Sequence, residues 1–175
     1  KYKGLSDPNT QHKKYPYLLT NITASFPNHI WGTDITYVRL ESGFAYLVAL
    51  LDWFSRYVIA WQLSETLEIE FCLENLQRAL TESIPDVHNS DQGSHFTSHY
   101  YTDLLTEKDI QISMDGRGRC MDNIFTERLW RTVKYENIYL KSYHDIGQAQ
   151  QGLTEYFQFY NTKRPHQSLG ERTPA

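Results

Sequence analysis

The chain has 175 residues, 40% hydrophobic and 14% aromatic, which suits one globular domain with a real core and excludes a largely disordered chain. Its longest apolar run, Phe44 to Leu51, has the length of a strand, so no membrane-spanning helix is expected; Cys72 and Cys120 stand far apart, which excludes a disulfide scaffold and points to a reducing cytoplasm. The net charge of −4 is uneven: residues 21–116 hold four basic against fourteen acidic side chains, whereas residues 117–141 hold six Arg or Lys against three acids, so an acidic body carries basic edges able to neutralise phosphates.

Residues 1–25 are polar, carry early Gly and Pro and show no sustained period, as expected of an arm or linker from an upstream region. The chain opens on Lys1 without a signal-peptide pattern and reads as a piece of a longer protein. WGTDITYVRL alternates and is rich in Thr, Tyr and Val, which predicts a strand. After the turn Glu41-Ser42-Gly43, FAYLVALLDW predicts a strand buried on both faces, and YVIAWQL a third, giving an antiparallel meander. From Thr66 to Glu82 the apolar spacing becomes helical. DVHNS predicts a short fourth strand, residues 98–109 a helix and IQIS a fifth strand. The Gly-rich basic loop GRGRC follows, then a helix capped by Asp122 and running through NIFTERLWRTVKYE. A last amphipathic helix covers Ile146 to Tyr160, ahead of a basic tail.

A strand–helix–strand step needs a parallel neighbour and a right-handed crossover, so the expected fold class is α/β: a mixed five-stranded sheet with helices on both faces. The expected organisation is an arm over 1–25, a catalytic core over 26–140, and a C-terminal helix and tail over 141–175 that complete it.

Three acids stand out by position. Asp34 lies inside the first strand, where a carboxylate is costly without a partner. Asp91 ends the fourth strand, where ligands gather in such sheets, and Glu127 lies one to two turns into the helix after the Gly-rich loop. If the first and fourth strands are neighbours and that helix crosses them, the carboxylates converge and need a cation. Hard oxygen donors favour Mg²⁺ or Mn²⁺, and two such ions clamp the attacking and leaving oxygens of a phosphoryl displacement. Each acid also has an ordinary role: strand-edge acid, turn former, solvated helix residue. Asp52, Asp86, Asp115 and Asp122 compete for the same positions.

Taken together, WGTDITYV, NSDQGSHFTS, SMDGRGRCMDNIFTERLWRTVKYE and YNTKRPHQSLGERTP resemble the integrase core of bacterial insertion-sequence transposases of the OrfB type, which is similar to the retroviral integrase core. Four motifs occur in order, and 35 residues separate Asp91 from Glu127, as in that group. The resemblance implies an RNase H-like fold and the acidic triad Asp34, Asp91 and Glu127. It implies Mg²⁺-dependent cleavage at element ends, strand transfer by the freed 3′-hydroxyl, and no covalent protein–DNA intermediate. It also implies element-end and target DNA as partners, a homodimer or larger assembly on DNA, and a bacterial cytoplasmic setting with no membrane or small-molecule partner. Arg131 and Lys134 share a helix face with Glu127, and Lys134 matches the family's basic residue seven places after the glutamate. With Asn123, Arg117 and Arg119 they are the expected DNA contacts. Arg164-Pro165-His166 also matches, without a role that physics assigns from sequence. The alternatives are a hydrolysis-only nuclease of the same fold and a non-catalytic DNA-binding or assembly module.

Overall fold

The structure, a computed structural model, describes residues 13–116 and 123–175. Five strands form one mixed sheet in the order β3-β2-β1-β4-β5: β1 (Ile30–Leu40), β2 (Gly43–Asp52), β3 (Val58–Ser64), β4 (Val87–Ser90) and β5 (Gln111–Met114). The helices are α1 (Glu70–Glu82), α2 (Ser94–Thr97), α3 (His99–Thr106), α4 (Ile124–Val133), α5 (Tyr139–Lys141) and α6 (Ile146–Thr162), and a π turn over Lys134–Ile138 joins α4 to α5.

The predicted meander is present. β1 and β2 pair antiparallel from Trp31↔Asp52 to Leu40↔Gly43, around the two-residue turn Glu41-Ser42. Gly43 leaves that turn at φ +142°, a conformation that glycine adopts without steric cost. β4 runs parallel to both β1 and β5, as the crossover argument requires.

Alternation along β1 divides the core. Ile30, Val38 and Leu40 pack with Leu47, Ala49 and Leu51 of β2 under α4 and α6. Trp31 and Ile35 pack on the other face with Phe71, Leu76, Tyr101 and Leu105 of α1 and α3. β2, buried on both sides over its last six residues, supplies both layers, which is why its sequence reads as a continuous apolar run. The result is a helix–sheet–helix sandwich.

Three boundaries depart from expectation. α1 starts at Glu70, not Thr66, because the Leu67 carbonyl is taken by His95 Nε2 at 2.8 Å rather than by a helical amide. The helix expected over 98–109 is α3, which ends earlier, at Thr106; the separate short helix α2 precedes it, set off at Ser98 by an extended backbone (ψ 137°). The helix through Glu127 stays α-helical only to Val133 before the π turn. Its proposed cap, Asp122, lies outside the described residues; Asn123 occupies the position before the first helical residue. α6 is capped by Asp145, whose side chain accepts from Gln148 N at 2.9 Å, a contact that contributes about 1 kcal/mol.

Part of the segment read as an arm lies along the outer strand. Met114 N donates to Pro16 O, Leu18 N donates to Ser113 Oγ, and Leu19 is buried in the core. No described helix is long and apolar enough to cross a membrane.

Candidate active site

The first two turns of α4 are fastened to β1. Gly32 has no side chain because none fits: a Cβ there would stand 2.2 Å from Trp53 Nε1 and 3.0 Å from Thr126 Oγ1. One residue along, Asn123 Nδ2 donates to Thr33 O at 3.2 Å, and Thr126 Oγ1 donates to Asn123 Oδ1 at 2.6 Å. One residue further, Trp130 Nε1 donates to Asp34 Oδ2 at 3.1 Å. Three successive residues of β1 therefore hold the helix, and exposed Glu127 comes to lie within the field of Asp34.

Asp91 arrives by strand register. β1 and β4 pair as Ile30↔Val87, Trp31↔His88 and Gly32↔Asn89; Asp91 follows the end of β4, and its charge acts on Asp34. Beyond Ser90 the chain turns, and Asp91 Oδ1 accepts from Gly93 N at 2.7 Å. A Cβ on Gly93 would stand 2.8 Å from that oxygen, so the glycine makes room for the carboxylate itself.

The electrostatics follow from this placement. Asp34 is pushed up to about 6, first by burial and then by the negative charges of Asp91 and Glu127; bonds from the Ile35 amide and the Trp130 indole act in the opposite sense. No ion pair with a described residue involves any of the three acids: His144 pairs with Glu41, and Arg164 with Glu136. Among the described residues, no three His, Cys, Asp or Glu side chains already close on one point as a metal cage. The triad therefore shares a field without yet sharing a ligand sphere. All its donors are hard carboxylate oxygens, and the half-buried one is destabilised as an anion, a set that fits a divalent oxygen-seeking cation.

Two of the competing acids have other work. Asp52 is buried and accepts from Phe54 N, Ser55 N and Ser55 Oγ, which builds the turn after β2. Asp115 Oδ1 accepts from Asn89 Nδ2 at 2.8 Å. Asp86 lies at the other end of β4 from Asp91, before Val87. Asp122 is outside the described residues, as are Arg117 and Arg119.

Arg131 is exposed on α4, with its guanidinium 5.9 Å from the Tyr135 ring centre, and Lys134 is half-buried at the head of the π turn. Asn123, by contrast, is 5% exposed, and its amide is engaged by Thr33 and Thr126 inside the protein. Of the tryptophans, Trp31 and Trp53 are core residues, Trp61 packs on Phe157, and Trp130 alone touches a triad member.

Two features escaped sequence reading. Arg164 forms a two-pronged pair with Glu136, Nε to Oε2 at 2.7 Å and Nη2 to Oε1 at 2.5 Å, while Tyr156 Oη donates to Oε2 at 2.7 Å. His166 packs edge-on to Tyr160. The Arg-Pro-His motif thus ties the tail and α6 to the π turn. The other is His88, fully buried on β4, whose Nε2 lies 3.0 Å from Tyr101 Oη; burial pushes its pKa down to about 3. Its signal in the sequence was weak, because His88, Asn89 and Ser90 follow one another as polar residues in a four-residue strand.

Comparison with known proteins places the fold in a family. One integrase core domain model matches residues 24–120, and a second matches residues 108–174. The chain is 32% identical over 154 residues to the transposase for insertion sequence element IS629 of Shigella sonnei, covering 87% of this chain and 52% of that protein. It is 31% identical over 164 residues to the transposase for insertion sequence element IS904 of Lactococcus lactis, covering 91% of this chain and 65% of that protein. The chain thus spans roughly half to two thirds of the length of these relatives. Among solved structures it superposes on the HTLV-2 integrase catalytic core domain in complex with magnesium with a TM-score of 0.69 at 17% identity, over 86% of this chain and 96% of that one. It also superposes on a chain of the simian T-cell lymphotropic virus intasome with a TM-score of 0.75 at 19% identity, over 95% of this chain and 59% of that one. The sheet order and layers are those of an RNase H-like fold, and with models matched from residue 24 to residue 174 the chain belongs to the integrase core domain family.

Proposed function

We propose that this chain is the catalytic domain of a DNA transposase that cleaves phosphodiesters at the ends of a mobile element and joins the freed 3′-hydroxyls to target DNA. The observation that carries the reading is that the charges of Asp91 and Glu127 both act on the half-buried carboxylate of Asp34, with β4 paired to β1 and α4 bonded to it. The relatives' names, the integrase core family and a magnesium-bound protein of the same fold support it.

Asp34, Asp91 and Glu127 would hold two Mg²⁺ ions, for which Mn²⁺ can substitute. When bound, the ions would supply charge neutralisation at the reacting phosphate and activation of water or hydroxyl oxygen. The chain's own contribution is positional. Trp130 fixes one oxygen of Asp34, so that carboxylate does not have to be reoriented when phosphate arrives. Gly93 keeps space open beside Asp91. Arg131 on α4 and Lys134 at the head of the π turn follow Glu127 by four and seven residues and would meet phosphates beside the reacting one. With no tyrosine or serine nucleophile needed, one site serves both cleavage and joining by a change of attacking oxygen. Element-end sequence would be read upstream of the core, in continuation of the segment over residues 1–25. A protein that joins two ends acts as a dimer or larger assembly on DNA, in the bacterial cytoplasm; an intasome of the same fold supports assembly.

The test is resolution of a branched DNA that mimics a joined product, in Mn²⁺ or Mg²⁺, with Asp34→Asn, Asp91→Asn and Glu127→Gln beside the parent. Resolution by the parent and its loss in all three variants supports the proposal. Variants as active as the parent would refute the site, and cleavage with water but never rejoining would mark a hydrolytic nuclease instead.

A further inference from the structure

Beyond Glu127, the exposed face of α4 and the π turn changes character. Tyr135 and Tyr139 are 65% and 55% exposed, their rings meet edge to face at 5.4 Å, and Arg131 lies over Tyr135 at 5.9 Å. In an unbroken α-helix, residues twelve apart drift by about 120° around the axis, which would carry Tyr139 away from the Glu127 face. The wider π turn over Lys134–Ile138 delays that drift, and the contact chain Arg131–Tyr135–Tyr139 runs unbroken along the surface. Cations accompany it: Lys134 at the head of the π turn and Lys141 at the end of α5. The acid in this stretch, Glu136, is neutralised by the Arg164 fork.

The strip ends at a pocket of about 400 Å³. Its apolar lining is Leu40, Ile138 and the Tyr139 and Tyr143 rings; Arg39, Ser142 and Glu41 add polar groups, the last paired with His144. The walls are built, not loose: Glu41 N donates to Tyr143 O at 2.9 Å, and Ser42 N donates to His144 O at 3.1 Å, which joins the β1–β2 turn to the segment after α5. Flat apolar walls with hydrogen-bonding groups at the edge suit a nucleobase, and exposed tyrosines interleaved with cations suit a strand whose bases stack while its phosphates are neutralised.

We propose that Tyr135 and Tyr139 form a stacking track for an unpaired DNA strand leaving the active site, and that the pocket beside Tyr139 accepts one of its bases. The inference rests on the transposase reading above and names which part of the DNA this face takes. The twelve residues from Glu127 to Tyr139 span at most roughly 18 Å, since the π turn rises less per residue than an α-helix, so with stacked bases about 3.4 Å apart the pocketed base lies within about five nucleotides of the reacting phosphate.

The experiment is fluorescence anisotropy in Ca²⁺ with a labelled duplex that is blunt or carries a single-stranded extension of three or eight nucleotides. The parent is expected to bind the eight-nucleotide extension about ten-fold or more tighter than blunt DNA, with little gain at three. The double variant Tyr135→Ala/Tyr139→Ala should lose that preference and keep its blunt affinity, and Tyr135→Phe/Tyr139→Phe should retain the preference, since stacking needs the ring and not the hydroxyl. The inference is overturned if the parent shows no preference, if the alanine variant keeps it, or if that variant loses blunt and extended DNA equally. It is also overturned if the alanine variant changes only the sedimentation of the protein, which would make the face a protein interface. Branch resolution by the parent, measured against Glu127→Gln, reports on the active site separately: a chain that resolves branches but ignores extensions loses only the stacking track, and a chain that binds neither DNA loses both readings.

Discussion

The Trp130 indole reaches across from α4 to donate to Asp34 Oδ2 at 3.1 Å, although 96 residues separate the two in sequence. Through this bond the helix that carries Glu127 also orients the carboxylate of β1. Partners that orient ligands in this way typically control metal affinity and activity by about 10–100-fold. Trp130→Phe keeps an aromatic ring in the core but removes the donor and part of the buried volume. It is expected to weaken Mn²⁺ binding and branch resolution by about ten-fold in the folded protein, with the thermal transition lowered as for a core truncation. Calorimetric titration of Mn²⁺ beside a melting curve checks it; unchanged affinity would mean the bond has no bearing on metal.

Gly32→Ala tests the approach of α4 to β1. The added Cβ would meet the Trp53 ring at 2.2 Å, and that ring is itself buried and packed on Phe125, so it has little room to yield. Overpacking of this kind costs about 1–3 kcal/mol. We expect a lower urea midpoint and a loss of branch resolution greater than the fraction unfolded explains. Full activity with unchanged stability would show that the helix sits further from the strand.

The Glu136–Arg164 fork gives the C-terminal motif a structural duty. The Glu136 side chain is 38% exposed, so solvent screens the pair, and its net coupling should be about 0.5–1 kcal/mol. The Arg164 guanidinium and the Tyr156 hydroxyl hold the Glu136 carboxyl below its ordinary range. Stability from this acid is therefore present above its unfolded pKa and is lost as pH falls. A double-mutant cycle of Glu136→Gln and Arg164→Met at neutral pH should return that coupling, shrinking in acid. Strict additivity at neutral pH would remove the fork as a tie between α6 and the π turn.

His88 has the same sign for a different reason. Its folded pKa is depressed to about 3 by burial, against 6.5 for the free side chain, so between these values the unfolded chain binds the extra proton. Stability is full above about 6.5 and drains away as pH falls toward 3. His88→Gln keeps a polar group near Tyr101 and cannot titrate. Melting temperatures of parent and variant from pH 7 to pH 4 should diverge in slope, with the variant flatter; parallel curves would show that His88 is not buried neutral.

Much of this molecule was legible residue by residue. Alternation in WGTDITYVRL, the continuous apolar run of β2 and helical spacing after Glu70 are local patterns, because side-chain direction repeats every two residues in a strand and every 3.6 in a helix. Those periods and the order of elements were enough for the fold class, whereas it was the resemblance of four motifs to integrase cores, with its 35-residue interval from Asp91 to Glu127, that singled out the three acids. The tertiary structure decided what no local period encodes. The pairing of β1 with β4 reaches across 57 residues and lets the charge of Asp91 act on Asp34, and the crossing of α4 depends on the absence of a side chain at Gly32. The π turn interrupts a stretch whose sequence reads as plain helix, and its anchor, Arg164, lies 28 residues beyond Glu136. Such contacts arise only when distant segments compete for the same buried space and the same hydrogen-bond partners, so they belong to the fold as a whole.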